Sequence, residues 1–140
     1  MKALRGEGLK SKKWRPFHVP YSNPYIQASF QDKWNGSPVE QRTLEPEWNF
    51  ELLDMERVTS LLADPLKVSV FNRNRLFPDN FMGRVCVPAN KLYALGTGPH
   101  TYWFELLRSD KRRYRRETVS GRILLHFDIE VRHSQASRIS

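Results

Sequence analysis

Three asparagines, Asn72, Asn74 and Asn80, lie close together in a short stretch that is rich in polar and basic residues. Their side-chain oxygens are of the kind that bind Ca²⁺, but an amide oxygen carries no charge to neutralise a dication. Arg73 and Arg75 separate the asparagines and would repel a cation. We therefore expect no metal here. Short amides suit turns, and this explains the asparagines as well as a role in contacting a ligand does.

Side chains that could catalyse a reaction are scattered along the chain. The four histidines fall in separate predicted loops, on an outward strand face and in the C-terminal tail, at positions 18, 100, 126 and 133. No serine-nucleophile, phosphate-loop or zinc-protease motif occurs. Cys86 alternates with Val85 and Val87, and we interpret it as a small buried apolar residue. We expect that the protein is not an enzyme and uses no cofactor.

The charge balance indicates anionic partners. The chain has 140 residues, of which 39% are hydrophobic, and it carries 23 Lys and Arg against 15 Asp and Glu, a formal net charge of +8. Such an excess suits nucleic acid, anionic lipid or an acidic protein surface. The chain has one cysteine, no apolar run of about 20 residues and no signal-peptide pattern. These features predict an intracellular protein, either cytoplasmic or peripheral to a membrane.

Period-two alternation of apolar and polar residues dominates the chain. It is clearest at residues 65–71 and 121–131, where every second residue is apolar, as in a strand with one buried face. Eight strands are predicted, at residues 2–9, 24–30, 38–43, 48–53, 65–71, 82–87, 101–107 and 121–131. Residues 56–63 and 89–95 suit short helices. A dipeptide, Asn35-Gly36, suits a type I′ turn between the second and third strands better than a glycosylation site.

Eight short strands separated by turn signals predict an all-β fold. Each half-apolar sheet must bury its face against another sheet, so the expected architecture is an antiparallel β-sandwich. The chain length suits one hydrophobic core. We expect one domain at residues 1–131, followed by a short basic polar tail at residues 132–140.

Five motifs, in this order, resemble the C2 domain family. They are Ser-Asn-Pro-Tyr-Ile at 22–26, Thr-Leu-Glu-Pro-Glu-Trp-Asn at 43–49, the loop 72–83, Trp-Phe-Glu-Leu at 103–106 and Gly-Arg-Ile-Leu-Leu at 121–125. The resemblance implies an eight-stranded Greek-key sandwich that docks on membranes, often through calcium. Because the Gly-Arg-Ile strand lies at the C-terminal end, it also implies the permuted arrangement called type II.

Calcium-binding members of the family use five aspartates. The matching positions here hold no carboxylate; they are Phe17, Asn23, Asn72, Asn74 and Asn80. Asp79 is one residue out of register. Since Ca²⁺ affinity depends largely on the number of charged ligands, the resemblance implies a calcium-independent variant.

Type II topology would place three basic loops at one end of the sandwich. We call this end the tip and define it as residues 10–15, 72–80 and 108–116. These segments hold twelve Lys and Arg against Asp79 and Asp110, so the tip carries +10 and the rest of the chain −2. Permanent positive charge can do what calcium does in the family, which is to attract an anionic leaflet.

The predicted function is a constitutive basic docking module for anionic phospholipid membranes. Basic side chains would attract the surface, and apolar neighbours such as Trp14 and Phe77 would insert. The residues expected to contact lipid or a partner are Lys12, Lys13, Trp14, Arg15, Arg73, Arg75, Leu76, Phe77, Lys111, Arg112, Arg113, Arg115 and Arg116.

Two alternatives use the same charge. The protein would be a small structural or adaptor subunit if the tip docks on an acidic protein surface within a larger assembly. Nucleic acid ranks third, because the run 111–116 interleaves basic residues with one aromatic but no base-reading element accompanies it.

Overall fold

The structure, a computed structural model, describes residues 1–12, 16, 20–54 and 64–130. These residues form eight strands and one short helix. In chain order they are β1 Lys2–Glu7, β2 Pro24–Phe30, β3 Lys33–Gly36, β4 Glu47–Glu51, β5 Leu66–Asn72, β6 Asn80–Val87, α1 Ala89–Leu95, β7 Gly98–Glu105 and β8 Arg122–Ile129. The helix at 89–95 is confirmed, whereas the one predicted at 56–63 and the tail at 132–140 lie outside the described residues.

The strands form two four-stranded sheets, as expected for an all-β sandwich. One sheet has the order β4-β1-β8-β7 and the other β3-β2-β5-β6. Every ladder in both sheets is antiparallel. Gly121 precedes β8 with φ of +91°, and a Cβ there would lie 2.5 Å from the carbonyl oxygen of Glu7. Only glycine therefore allows β1 and β8 to approach this closely at their junction.

The core is built by the alternation visible in the sequence. Leu66, Val68 and Val70 of β5 are fully buried, as are the alternate apolar residues of β8 from Ile123 to Ile129. Full burial of such a side chain contributes about 1.5–3 kcal/mol relative to exposure. The two predicted strands with the strongest period-two pattern are therefore the ones that line both sides of the interior.

The predicted position of the third strand was wrong. Residues 33–36, not 38–43, form β3, and the turn between β2 and β3 is at Gln31, where φ is +55°. Neither Asn35 nor Gly36 has a positive φ. Gly36 instead pairs with Gln27 of β2, and the Asn35 side chain donates to the Leu52 carbonyl oxygen at 3.0 Å. This amide ties the edge of one sheet to the segment after β4.

Cys86 was also misread, because it is exposed. It pairs with the exposed Lys67 across β5 and β6. Val85 and Val87 face the core, and in a strand the residue between two inward-facing side chains points outward.

The connections after β1, β3, β5 and β7 meet at one end of the sandwich. The backbone N–H of Asn23 donates to Asn72 Oδ1 at 2.8 Å, and Arg42 N–H donates to Asn23 Oδ1 at 2.8 Å. Lys12 reaches Glu117 across 105 residues of sequence. Residues 10–12, the base of the 72–80 loop and the residues after 116 therefore lie together at this end. Residues 109–111 lie instead beside Lys67 and Cys86, along the outer face of β5 and β6. The helix α1 lies at the opposite end, because it follows β6, which starts at the tip. None of the helices within the described ranges has the length and apolar character needed to cross a bilayer.

Candidate functional site

The asparagines of the tip form a hydrogen-bonded cluster. Asn72 is fully buried; its Oδ1 accepts from Asn23 N–H, and its Nδ2 donates to Asn80 Oδ1 at 3.0 Å and to Asn74 Oδ1 at 3.4 Å. The Asn74 amide donates to Asn80 Oδ1 at 2.8 Å and to the Pro78 carbonyl oxygen at 3.0 Å. The cluster closes the 72–80 loop at its base.

This cluster depends on amide donors. Each contact between its asparagine side chains needs an Nδ2–H group, and an ionised aspartate has none. Three carboxylates in these positions would face one another without a cation between them. The cluster is therefore stabilised by contacts that asparagine side chains can make and ionised aspartates cannot.

Asp79, the acidic residue of this loop, is engaged on several sides. Its carboxylate accepts from the Asn74 backbone N–H at 2.8 Å and from the Tyr25 hydroxyl, and Arg73 Nε lies 3.4 Å away. The Arg73 guanidinium also lies 5.2 Å from the centre of the Tyr25 ring. Arg73 is thus partly held at the side of the loop rather than free at its end.

Tyr25 shows the electrostatic effect of this arrangement. Its pKa is raised to about 12, first by burial and then by the hydrogen bond and negative charge of Asp79, while Arg73 opposes the rise. The hydroxyl therefore keeps its proton, and its hydrogen bond to Asp79, to a higher pH than an ordinary tyrosine would.

The end of the 72–80 loop is apolar and basic. Leu76 is 88% exposed and Phe77 is 74% exposed. Arg75, which precedes them, is also exposed. Phe77 therefore does not fold back onto the loops, and three consecutive side chains, one cationic and two apolar, project together.

The basic run 111–116 is folded. Tyr114 packs its ring 4.7 Å from that of Phe81 and 6.0 Å from that of Phe71, measured between ring centres. Its backbone N–H donates to the Lys111 carbonyl oxygen at 2.9 Å, and Arg108 donates to the Arg115 carbonyl oxygen at 3.1 Å. This anchor leaves five cations exposed around it: Lys111, Arg112, Arg113, Arg115 and Arg116.

Lys12 has a different position from the other basic residues. Its side chain is only 9% exposed, and its Nζ donates to Glu117 Oε2 at 2.8 Å and to the Thr118 carbonyl oxygen at 3.2 Å. It connects residues 10–12 to the segment that follows residues 108–116, instead of facing solvent. Lys13, Trp14, Arg15 and Phe17 lie outside the described residues.

Sequence reasoning missed two parts of this site. It treated Tyr114 only as one aromatic within a basic run, and it gave no role to Tyr25, whose hydroxyl donates to Asp79. The packing of Tyr114 could have been suspected, because it is a single aromatic residue within a run of five basic ones. No local pattern indicated the second, because Tyr25 and Asp79 are 54 residues apart.

Residues 1–106 match the model of the C2 domain family. The chain is 30% identical to mouse intersectin-2 over 112 residues, which are 79% of this chain and 6% of that protein. It is 33% identical to intersectin-1 of Xenopus laevis over 82 residues, which are 56% of this chain and 4% of that protein. The chain therefore matches only a small part of each of these much longer relatives.

Solved structures show the same fold. A C2 domain of plant extended synaptotagmin 1 superposes with a TM-score of 0.65 at 17% identity, covering 89% of this chain and 87% of that one. The calcium-bound pair of C2 domains from extended synaptotagmin 2 gives 0.64 at 19% identity, covering 88% and 41%. At such identities the likeness concerns the fold alone. With the sequence match over most of its length, the chain belongs to the C2 domain family, whose members often bind membranes or proteins.

Proposed function

We propose that this chain is a type II, calcium-independent C2 domain that docks constitutively on anionic phospholipid membranes. The observation that carries the proposal is the projection of Arg75, Leu76 and Phe77 from the tip, with both apolar side chains mostly exposed. A cation next to exposed apolar groups suits the interface between headgroups and acyl chains. In this role the protein is a peripheral membrane protein without catalytic activity.

The charge of the tip supports attraction to an anionic surface. Seven exposed cations are available: Arg73 and Arg75 in the 72–80 loop, and Lys111, Arg112, Arg113, Arg115 and Arg116 in the 108–116 segment, whose Tyr114 packs against Phe71 and Phe81. A basic residue near an anionic leaflet contributes about 1 kcal/mol, and the attraction fades within about 8–10 Å at physiological salt. Engagement of five of these residues would be enough for useful affinity even before Leu76 or Phe77 inserts.

The asparagine cluster supports independence from calcium. Its amides already bond to one another and to the backbone, and Asp79 is occupied by Tyr25, Arg73 and the backbone of Asn74. Calcium would have to break these contacts and would gain little neutralising charge. The positive charge of the arginines needs no cation to create it.

Co-sedimentation with phosphatidylserine liposomes tests the proposal. The assay is run at low and near-physiological salt, with calcium and with a chelator. We expect binding that weakens with salt and does not change with the chelator, because surface charge is screened and no metal takes part. Absence of binding in every condition would overturn the membrane role.

Matched charge reversals localise the contact. Arg75→Glu changes the charge at the tip, whereas Lys91→Glu makes the same change on the exposed face of α1 at the opposite end. We expect the first to weaken liposome binding at least ten-fold and the second to have little effect. Equal effects would mean that net charge alone matters. Addition of Arg73→Glu to the first variant should abolish sedimentation while the fold is retained.

A second candidate, docking on an acidic protein, is favoured by one observation. Tyr114 fixes the 108–116 segment in place, so its arginines form a defined pattern of the kind that suits carboxylate recognition. Binding to an acidic protein surface without binding to liposomes would make this adaptor role the leading one.

A further inference from the structure

We propose that Thr118 is a phosphorylation site for a protein kinase with an acidic substrate groove, and that its phosphate releases the tip from anionic surfaces. The second half of this inference rests on the proposed docking function. The first half concerns only the residues around Thr118 and stands independently of it.

The residues before Thr118 carry the recognition features. Arg115 and Arg116 precede it by three and two positions, and both side chains are exposed. Kinases select substrates by patterns of charge, and guanidinium groups pair well with the carboxylates of an acidic peptide groove. The pair of arginines therefore matches kinases that require basic residues on this side of the acceptor.

The local structure leaves the acceptor accessible. Thr118 is exposed and lies in residues 117–121, which have no regular secondary structure. Its hydrogen bond from Lys12 goes to the backbone oxygen and leaves the hydroxyl accessible. Its neighbours differ: Ser120 Oγ donates to the Gly8 carbonyl oxygen at 2.9 Å, and Ser109 is buried. The Thr118 hydroxyl is therefore more accessible to a kinase than those of Ser109 and Ser120, although the Lys12 contact to the Thr118 backbone oxygen would be displaced.

The reaction is ordinary phosphoryl transfer with ATP as co-reactant. A carboxylate of the kinase takes the hydroxyl proton, Thr118 Oγ1 bonds to the γ-phosphorus of ATP, and the bond from that phosphorus to the bridging oxygen breaks, releasing ADP. The product side chain carries about −1.5 to −2 charges at pH 7.

That charge would arise within the basic surface. Thr118 follows the 108–116 segment closely, and its carbonyl oxygen already accepts from Lys12 Nζ at 3.2 Å. A phosphate here offsets up to two of the tip's charges and offers Arg115 and Arg116 an anion to pair with. Arg115 and Arg116 would then pair with the phosphate on Thr118 instead of with the membrane. We expect anionic vesicles to bind about ten-fold more weakly.

The modification is tested on the full chain with the catalytic subunit of cAMP-dependent protein kinase and ATP, followed by mass spectrometry of the peptides. We expect incorporation at Thr118, its loss in Thr118→Ala and its retention in the matched variant Ser120→Ala. Absence of incorporation, or equal incorporation into Thr118→Ala, would overturn the assigned site.

The consequence is tested with two readouts on the phosphorylated and unmodified proteins. One is sedimentation with phosphatidylserine liposomes, and the other is the salt at which each elutes from a heparin column, which needs no lipid. We expect weaker sedimentation and earlier elution after phosphorylation, and unmodified behaviour in kinase-treated Thr118→Ala. Unchanged elution would overturn the release. If the unmodified protein fails to sediment but elution still shifts, the docking proposal fails and the phosphorylation site stands.

Discussion

Asn72 and Asn80 face each other across β5 and β6 at the base of the tip loop, where the Nδ2 of the first donates to the Oδ1 of the second at 3.0 Å. Asn72 is the last residue of β5 and Asn80 the first of β6. The contact therefore closes the loop that carries Arg75, Leu76 and Phe77, and the loop's projection depends on it.

Replacement of Asn72 by aspartate tests this closure. Asn72→Asp removes the donor to Asn80 and Asn74 and leaves a buried carboxylate next to their oxygens. A buried polar group that loses its partner costs about 1–3 kcal/mol, so we expect the free energy of unfolding in urea to fall by about 2 kcal/mol at pH 7. Calcium should not restore it, because one carboxylate is too little charge.

The exposed Asn90 of α1 is the matched control for that change. Asn90→Asp adds the same charge in the first turn of a helix, where an acid is tolerated, and should alter stability by less than about 0.5 kcal/mol. Equal stability of both variants would contradict a structural role for the asparagine cluster.

The two projecting apolar side chains should affect docking without affecting stability. Because Leu76 and Phe77 are exposed in the free protein, Leu76→Ser with Phe77→Ser should leave the unfolding midpoint unchanged. Burial of such side chains is worth about 1.5–3 kcal/mol each, so partial insertion predicts at least a ten-fold loss of liposome affinity.

Trp34, which is 67% exposed near the far end of β2 and β3, provides the control for this pair. Trp34→Ser removes a larger exposed apolar group away from the tip. Retained affinity is expected; a loss as large as that of the double variant would mean that apolar contact is not confined to the tip.

Tyr25 predicts a pH dependence at the alkaline end. Its pKa is raised from 10.0 to about 12 in the folded chain, so the folded state holds the phenolic proton more tightly than the unfolded state. The resulting stability is fully present below pH 10 and is lost as the pH rises from 10 to 12. Unfolding measured over this window should show a steeper fall for the wild type than for Tyr25→Phe.

Absorbance of phenolate provides an independent measurement of the same group. The wild type should show one tyrosine that titrates near pH 12, and Tyr25→Phe should lack it, while the titration of the other tyrosines is the same in both proteins. Identical titration curves at the alkaline end of this range would contradict the environment assigned to Tyr25.

The exposure of Cys86 predicts its reactivity. Its thiol lies on the outer face of β6, so one equivalent of an aromatic disulfide reagent should react in the native protein without denaturant. Reaction that requires urea would indicate a buried thiol. Cys86→Ser should abolish the signal and leave the unfolding free energy within about 0.5 kcal/mol of the wild type.

Strong alternation allowed most of the framework to be predicted. The patterns at β5 and β8 identify buried faces directly, because period two assigns every side chain to one side. The same rule applied to Cys86 would have placed it outside, since Val85 and Val87 are both core residues. The error arose from the usual burial of cysteine, a preference that is weaker than strand geometry.

The third strand was not predictable in this way. Asn35-Gly36 is a good turn signal, but the position of β3 is set by other contacts. Its pairing with β2 depends on the true turn at Gln31, and the contact from Asn35 to Leu52 joins residues that are 17 positions apart. Tyr114 presents the same difficulty: the partners of its ring, Phe71 and Phe81, lie more than 30 residues away.

Within the described residues the tip holds ten Lys and Arg against Asp79 and Asp110, and this uneven distribution of charge gives the molecule an electric dipole. The tip carries +10 in sequence terms, while the remainder carries −2. In the field of an anionic surface such a molecule rotates as it diffuses and arrives with the tip forward. Added salt would then reduce the rate of productive encounters more than it raises the rate of departure, since steering acts over distance whereas Leu76 and Phe77 act only on contact.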